Sequence, residues 1–184
     1  GTRPFGMGEA FVAIADDANA ISWNPSGLPG LRRKEFTSTY TDLYNMGISE
    51  SYIGLVYPLT DKIALGSDWG NVGFDDDELL YGENKIGLAV GYQPFSMFSV
   101  GINTKYIFRD IQLNGTSYGK SSGIGYDLGF LLQPHKMLRL GLSLYDLGGT
   151  NVDYENNTSE TILEQALKIG IAIQPLENLK IAFD

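Results

Sequence analysis

The chain has 184 residues, no cysteine and a formal net charge of −9. This length suits one domain with an adequate core, and the lack of cysteine excludes disulfides, thiol catalysis and cysteine metal sites. The acidic balance argues against a nucleic-acid partner, because phosphate binding needs a basic face and none is visible. No apolar run approaches the ~18 residues of a membrane-spanning helix. The mean hydropathy of −0.09 fits a soluble protein. It fits a membrane β-barrel equally, because only alternate strand residues face lipid.

The opening stretch, residues 1–31, differs from the rest of the chain because it has no period-2 alternation. We predict one short helix around residues 9–15, followed by a compact, turn-rich loop. The alternative is an ordinary N-terminal arm that lies along a sheet. The residues that set the stretch apart are glycines, an acidic pair and a Trp-Asn-Pro turn: Gly6, Gly8, Asp16, Asp17, Trp23, Asn24, Pro25 and Gly27.

Candidate strands follow one another regularly from residue 34 onward. Short connections contain prolines that recur roughly every 40 residues, and this period holds two strands rather than the four of a propeller blade. The repeat unit is therefore a β-hairpin, and the architecture is an antiparallel meander. Longer polar loops are predicted at 70–83, 112–121 and 148–162. The nine predicted strands are 35–43, 51–57, 62–69, 84–93, 97–111, 122–133, 137–147, 163–174 and 178–184.

The central strands separate an apolar face from a face of glycines and polar side chains. In the fifth strand, Phe98, Val100 and Ile102 alternate with Gly101 and Asn103. The alternation lasts about ten residues per strand, the length that crosses a bilayer when tilted. A soluble barrel would also alternate, with its apolar face inward. Strand length, the alternation of short and long connections, and aromatic residues near strand ends favour an up-and-down membrane β-barrel.

The polar face is predicted to line a lumen. We expect its cations to pair with Asp16 and Asp17. Its charged residues are Lys85, Lys105, Arg109, Asp127, Arg139 and Lys168. A strand glycine weakens a sheet unless another group approaches closely, so the glycines of this face are predicted to leave room for the opening stretch. The alternative is that they ease the curvature of the barrel. These glycines are Gly87, Gly91, Gly101, Gly125, Gly129 and Gly141.

Four blocks stand at fixed spacing in the opening stretch: GMG (6–8), AFVA (10–13), ADDANA (15–20) and WNPSGL (23–28). Together they resemble the mature N-terminus of FadL- and PorV-type outer-membrane barrels. The later hairpins are similar too, so the resemblance covers nearly the whole chain. It implies that residues 1–33 form a plug, or hatch, inside a barrel built from residues 34–184. Family members usually carry Ala where Ser26 stands and Gly where Glu9 stands.

Nine strands do not make the even-numbered closed barrel usual for one bacterial chain. An open edge within lipid would leave backbone groups unpaired. Barrels of the resembled family have about fourteen strands. We therefore expect the 184 residues to be the N-terminal part of a longer chain.

No catalytic constellation is visible in the sequence. The single histidine, His135, lies in a predicted turn, and no serine stands in a nucleophile elbow. No glycine motif has the strand-turn-helix context of a phosphate-binding loop. The acidic run at 75–78 lacks the spacing of a calcium loop, although adventitious binding of a divalent cation stays open. We expect no enzymatic activity and no cofactor.

Two functions are compatible with the resemblance. The first is a FadL-like transporter that carries hydrophobic compounds across the bacterial outer membrane, with membrane lipid around it and an apolar ligand passing between plug and wall. The second is a PorV-like accessory barrel whose loops hold secreted or surface proteins. A lateral opening and an apolar tunnel would favour the first, and a tightly filled lumen would favour the second. A soluble lipid-binding barrel is a distant third.

Overall fold

The computed structural model describes residues 1–43, 47–75, 79–114, 116–154, 159–176 and 178–184. In this part of the chain, three short helices precede eleven strands of one sheet. The helices are α1 (Thr2–Gly6), α2 (Ala20–Trp23) and a 3-10 helix (Pro25–Gly30). The strands are β1 (Glu35–Leu43), β2 (Ile48–Pro58), β3 (Ile63–Asp75), β4 (Leu79–Phe95), β5 (Phe98–Leu113), β6 (Thr116–His135), β7 (Leu138–Tyr145), β8 (Thr150–Tyr154), β9 (Ser159–Leu163), β10 (Ala166–Leu176) and β11 (Leu179–Phe183).

The sheet is an antiparallel meander. Its strand order is β1-β2-β3-β4-β5-β6-β7-β10-β11, and each strand pairs with the next. β8 lies off this path and pairs with β6 and β9. The predicted all-β, up-and-down antiparallel architecture is confirmed. Among the described residues, β1, β9 and β11 have one strand partner each, so the main path of the sheet ends in two edges, β1 and β11, and β9 forms a third, short edge.

The predicted number of nine strands is wrong, and the predicted long loops are too long. The loops expected at 70–83 and 112–121 consist largely of the outer parts of β3–β4 and β5–β6, which stay paired. The loop expected at 148–162 contains β8 and β9. These parts lack the apolar–polar alternation by which the strands were predicted, but their backbones stay paired. Most of the acidic run at 75–78 lies outside the described residues.

Burial in the sheet is the inverse of that in a soluble barrel. In β5, Ile102 is 43% exposed, whereas the neighbouring Asn103 is completely buried. The same alternation of exposed apolar residues and buried small or polar residues runs through β2, β4 and β10. We call the buried face of the sheet the inner face and the exposed apolar face the outer face.

Residues 1–33, here called the N-terminal segment, supply the hydrophobic core. The largest side chains that are fully buried include Phe11, Ile14, Ile21 and Leu28, all from this segment. The sheet contributes mainly small residues to the same cluster, among them Ala89. The core therefore lies between the segment and the inner face.

The sheet curves around the N-terminal segment. Asp16 accepts a hydrogen bond from Lys180 of the edge strand β11. Two residues later, the backbone N–H of Ala18 lies beside the carboxyl group of Glu35 in the other edge strand, β1. Residues two apart are separated by at most about 7 Å. In a flat sheet of nine strands the edges would lie about 38 Å apart. The two edges are therefore brought close together by curvature.

Residues 9–15 form turns rather than the predicted helix. Glu9 has a positive φ of 67°, which is incompatible with a right-handed helix. The backbone N–H groups of Phe11 and Val12 donate to one oxygen of Asp184, at 2.9 and 2.8 Å. A carboxylate from beyond β11 thus holds this turn in place through two backbone donors.

The glycines of the inner face allow a stability test of this packing. A Cβ on Gly101 would lie 2.2 Å from the carbonyl carbon of Pro25, whereas a Cβ on Gly82 would have no atom within 4 Å. We expect Gly101→Ala to lower the free energy of unfolding by about 1–3 kcal/mol, because the backbone of the segment must shift. Gly82→Ala, the matched control in the same sheet, should change it by less than about 0.5 kcal/mol. Urea titration in detergent, followed by tryptophan fluorescence, measures both, and equal losses would contradict this packing.

Candidate functional site

A buried polar cluster lies on the inner face around Lys105 of β5. Its ammonium lies 2.8 Å from Asp127 Oδ1 and 2.8 Å from Asp146 Oδ1. Asn103 donates to the other oxygen of Asp127 at 3.1 Å, and Thr150 donates to Asp146 at 2.5 Å. All five residues are buried, so each charge depends on these partners in place of water.

The cluster continues to Asp68 of β3, where it contacts the N-terminal segment. Ser22 of α2 donates to Asp68 Oδ2, and Lys85 of β4 donates to the Ser22 hydroxyl at 3.0 Å. The Lys85 ammonium also lies 3.6 Å from Asp68 Oδ2. Gly87 provides the space, since a Cβ there would lie 2.0 Å from Asp68 Oδ1. The segment is therefore joined to the wall through a serine placed between a lysine and an aspartate.

Asn24 fixes the middle of the N-terminal segment. Its side-chain amide donates to the carbonyls of Val12, at 2.8 Å, and of Phe130 in β6, at 3.3 Å. Its oxygen accepts from the backbone and hydroxyl of Ser26. A Cβ on Gly129 would lie 2.1 Å from this oxygen. One buried amide thus joins two parts of the segment to the sheet and begins the 3-10 helix.

The other marked residues of the segment also have defined places. The Trp23 carbonyl accepts from Ser143 at 3.0 Å and from Tyr145 at 2.5 Å. Gly8 has a left-handed φ of 63°. Gly27 packs against the Ala15 carbonyl so closely that a Cβ would lie 2.0 Å from it.

Two further marked residues occupy different surroundings. Pro25 is buried, close to the inner-face residues Gly91 and Gly101. Gly6 ends α1, with open space around it.

The predicted pairing of Asp16 and Asp17 with the named lumen cations is wrong, although Asp16 pairs with another cation of the sheet, Lys180. The named cations are Lys85, Lys105, Arg109, Arg139 and Lys168. Both carboxylates bind Arg3 of the same segment, at 2.6 and 2.5 Å, and Asp16 also binds Lys180. Asp16 lies beside the start of β11, far along the sheet from the central cluster. Burial by itself would raise the pKa of Asp16, but hydrogen bonds from Arg3 and Lys180 outweigh it and lower that pKa below its ordinary value.

The predicted lumen cations bind several kinds of partner. Lys85 and Lys105 pair with strand aspartates, and Arg109 pairs with Glu83 of the neighbouring strand. Arg139 donates to the Ile14 carbonyl of the segment at 2.6 Å. Lys168 pairs with Glu9 at 3.1 Å. The segment therefore contacts some of these cations directly, through carbonyls and Glu9 rather than through its acidic pair.

Four of the six predicted glycines meet the N-terminal segment, namely Gly91, Gly101, Gly129 and Gly141. The other two face the buried cluster, where Gly87 admits Asp68 and Gly125 admits Lys105 and Thr150. The prediction that these glycines leave room for the segment is therefore correct for four positions and wrong for Gly87 and Gly125.

Asp68 and Asp146 were not among the predicted site residues. Asp68 occupies an inner-face position of β3. Strict alternation would place Asp146 on the outer face, after Tyr145 on the inner one. Its φ of 52° interrupts the alternation and turns the carboxylate inward. The sequence signal that could have indicated this is an aspartate, a residue that tolerates the left-handed conformation, two positions before a Gly-Gly pair.

The cluster is suited to stabilising the fold rather than to catalysis or metal binding. Within the described ranges, no three His, Cys, Asp or Glu side chains are grouped so as to hold a metal ion. A cavity of about 170 Å³ lies beside it, lined by residues that include Tyr52, Asn71 and Lys85. None of the helices formed by the described residues is both long enough and apolar enough to cross a membrane.

No protein-family model matches the chain, and no curated protein matches it. Its fold is similar to that of CymD, a monoaromatic hydrocarbon channel, with a TM-score of 0.62 and 15% sequence identity. The similarity covers 97% of this chain and 61% of that chain, so the chain spans about three fifths of the channel's length. At this identity the similarity establishes the fold alone.

Replacing Lys105 tests the buried cluster. Lys105→Ala leaves two buried carboxylates without their cation, so we expect it to lower the free energy of unfolding by about 3–5 kcal/mol. Lys168→Ala removes a pair whose side chains are 37% and 53% exposed, and it should cost about 1 kcal/mol or less. Denaturant titration of both variants in detergent measures the difference. Similar losses would show that burial does not strengthen the Lys105 pairs.

The lowered pKa of Asp16 predicts a pH dependence. A carboxyl whose pKa is lower in the folded state stabilises it above the unfolded pKa of about 3.9, and this contribution disappears as the pH falls through the folded pKa. Asp16→Asn should therefore be less stable than the natural protein at about pH 6, by about 1 kcal/mol, and this difference should be smaller at about pH 2. Asp61→Asn, in an exposed turn, is the control. A constant difference between these pH values would contradict the assignment.

Proposed function

We propose that the protein is a β-barrel of the bacterial outer membrane that transports hydrophobic compounds, with the N-terminal segment as its plug. The observation that carries the proposal is the inverted burial of the sheet. Apolar side chains cover the outer face, and polar side chains and glycines are buried on the inner face. In water this arrangement would expose a broad apolar surface, whereas in a bilayer the same surface is solvated by lipid.

The strands are long enough for this location. β4 has 17 residues and β5 has 16. A tilted strand crosses the hydrocarbon core with about 9–11 residues, so the remainder extends beyond it. The extensions coincide with the parts that lose the apolar–polar alternation, as expected where strands leave lipid for water.

The wall has a seam at the level of the buried cluster, and this feature favours transport. β7 and β8 both pair with β6, each along a different part of its length. Residues 146–149, between β7 and β8, belong to neither strand. On the far side of β7 and β8 from β6, β10 pairs with β7 and β9 pairs with β8. Residues 164–165, between β9 and β10, belong to neither strand. Hydrogen bonds bridge these interruptions: the Leu147 backbone N–H donates to the Tyr126 carbonyl of β6 at 2.8 Å, and the Gly148 backbone N–H donates to Gln165 Oε1 at 3.2 Å. Such a seam opens at a lower cost than a continuous ladder.

The N-terminal segment would have to move before a hydrophobic compound could pass. Its apolar side chains fill the space within the sheet, and Phe11, Ile21 and Leu28 are completely buried. The similarity to a monoaromatic hydrocarbon channel supports small apolar molecules as the substrate class. We infer that they pass between the segment and the wall and leave through the seam.

A tether across this path tests the proposal. A Cβ on Gly66 would lie 2.7 Å from Ile21 Cγ1, so Ile21→Cys with Gly66→Cys places two thiols in reach of a disulfide. The chain has no other cysteine. In proteoliposomes, oxidation should reduce toluene uptake at least about ten-fold, and reduction should restore it. Gly66→Cys alone, treated identically, is the control. Equal uptake in the oxidised and reduced states would overturn the plug movement.

The PorV-like alternative has its own support. The segment is packed tightly, and the β3–β4, β5–β6 and β8–β9 hairpins extend beyond the apolar belt as a polar platform. Such a platform could hold a secreted or surface protein while the barrel stays closed. Toluene uptake no faster than that of protein-free liposomes, for both redox states of the tether, would favour this accessory role over transport.

A further inference from the structure

The outer face carries a groove that the proposed transport does not use. It has a volume of about 570 Å³ and lies across β4, β5, β6 and β8. Residues paired across a sheet share a face, so two rows can be read from the strand register. The first row is Asn84, Phe108, Ser122 and Asp153, and the second is Gly82, Asp110 and Lys120.

The groove lies where the outer face changes from apolar to polar. The adjacent row consists of Ile86, Tyr106 and Ile124, each about half exposed. The rings of Tyr106 and Phe108 lie 5.9 Å apart at an angle of 31°. In a membrane barrel, aromatic residues at such a border occupy the interface between hydrocarbon and headgroups. A molecule that contacts both the apolar row and the polar groove must therefore be an amphiphile.

The polar side of the groove favours a headgroup rich in hydroxyls. Asp110 Oδ1 is buried without a hydrogen-bond partner among the described residues, so it needs a donor. Gly82 leaves open space beside it. The groove is lined by two acidic residues, Asp110 and Asp153, and two basic residues, Arg109 and Lys120, so it has no net positive charge that would select an anionic phosphate headgroup. Carboxylates accept hydrogen bonds from hydroxyls, and an aromatic ring packs against the apolar face of a sugar.

We propose that this groove binds the sugar headgroup of a membrane glycolipid. The acyl chains lie along the apolar outer face beside Ile86 and Ile124, and the sugar hydroxyls donate to Asp110 while the sugar ring packs on Phe108. The inference rests on the membrane location in the proposed function, and it adds a specific lipid partner. It does not depend on transport.

Lipid retention tests the proposal. The full-length protein is placed in phosphatidylcholine nanodiscs that contain equal traces of glucosyl diacylglycerol and phosphatidylglycerol with identical acyl chains, and retained lipid is measured by native mass spectrometry. Glucosyl diacylglycerol should be retained preferentially. Asp110→Ala and Phe108→Ala should each lower its retention about ten-fold, the effect of losing one hydrogen bond to a charged group or one ring contact. Matched controls at the opposite end of the sheet, Asp61→Ala and Phe95→Ala, should leave retention unchanged.

Two results would overturn the assignment: a preference for phosphatidylglycerol, or equal retention of the glycolipid by the groove variants and the controls. The toluene assay separates this failure from that of the proposed function. If toluene uptake persists while the groove variants have no effect, only the lipid site is wrong. A protein that does not insert into nanodiscs would overturn both the lipid site and the membrane location.

Discussion

The structure depends on satisfying polar groups that are buried between the sheet and the N-terminal segment. The segment has little regular structure, so many of its carbonyls lack an internal partner. Strand side chains supply the donors: Ser99 donates to the Ser26 carbonyl at 2.7 Å, and Arg139 to that of Ile14. The sheet in turn buries Lys105, whose ammonium is paired with Asp127 and Asp146. The irregular segment therefore needs the polar side chains of the inner face as hydrogen-bond donors, and these side chains need the segment's carbonyls as acceptors. Glycines on the inner face let the two backbones come close enough for these bonds to form.

The meander could be predicted from sequence because its signals are local. Period-2 alternation identifies each central strand by itself, and the recurring prolines identify the short turns at one end of the sheet. The prediction fails where the backbone departs from that period. The left-handed φ of Asp146 turns an aspartate inward from a position that alternation assigns to lipid. The ladder also continues through polar stretches such as β8, in which backbone pairing holds the strand and the side-chain pattern does not indicate it.

The contacts of the candidate site could be predicted only in part, because they join residues that are distant in sequence. A buried cation needs a carboxylate partner, but the sequence does not show which carboxylate lies within reach of which cation. Asp127 is 22 residues from Lys105, and the strand register brings them together. Asp16 is 164 residues from Lys180, and the curvature of the whole sheet brings them together. Pairing of the first kind follows from a hairpin, whereas pairing of the second kind requires the three-dimensional path of the chain.

The carboxylate of Asp184 makes the N-terminal segment dependent on the far end of the described chain. It accepts two backbone hydrogen bonds from residues more than 170 positions earlier, whereas the strands pair mostly with sequence neighbours. Contacts of such separation form late, because closing a long loop costs entropy that short hairpins do not incur. The N-terminal segment, although it precedes the strands in the chain, is therefore among the last parts of the fold to reach its final position. Until β11 is in place, the apolar side chains of the segment are not fully covered, and they must be kept from associating with other chains.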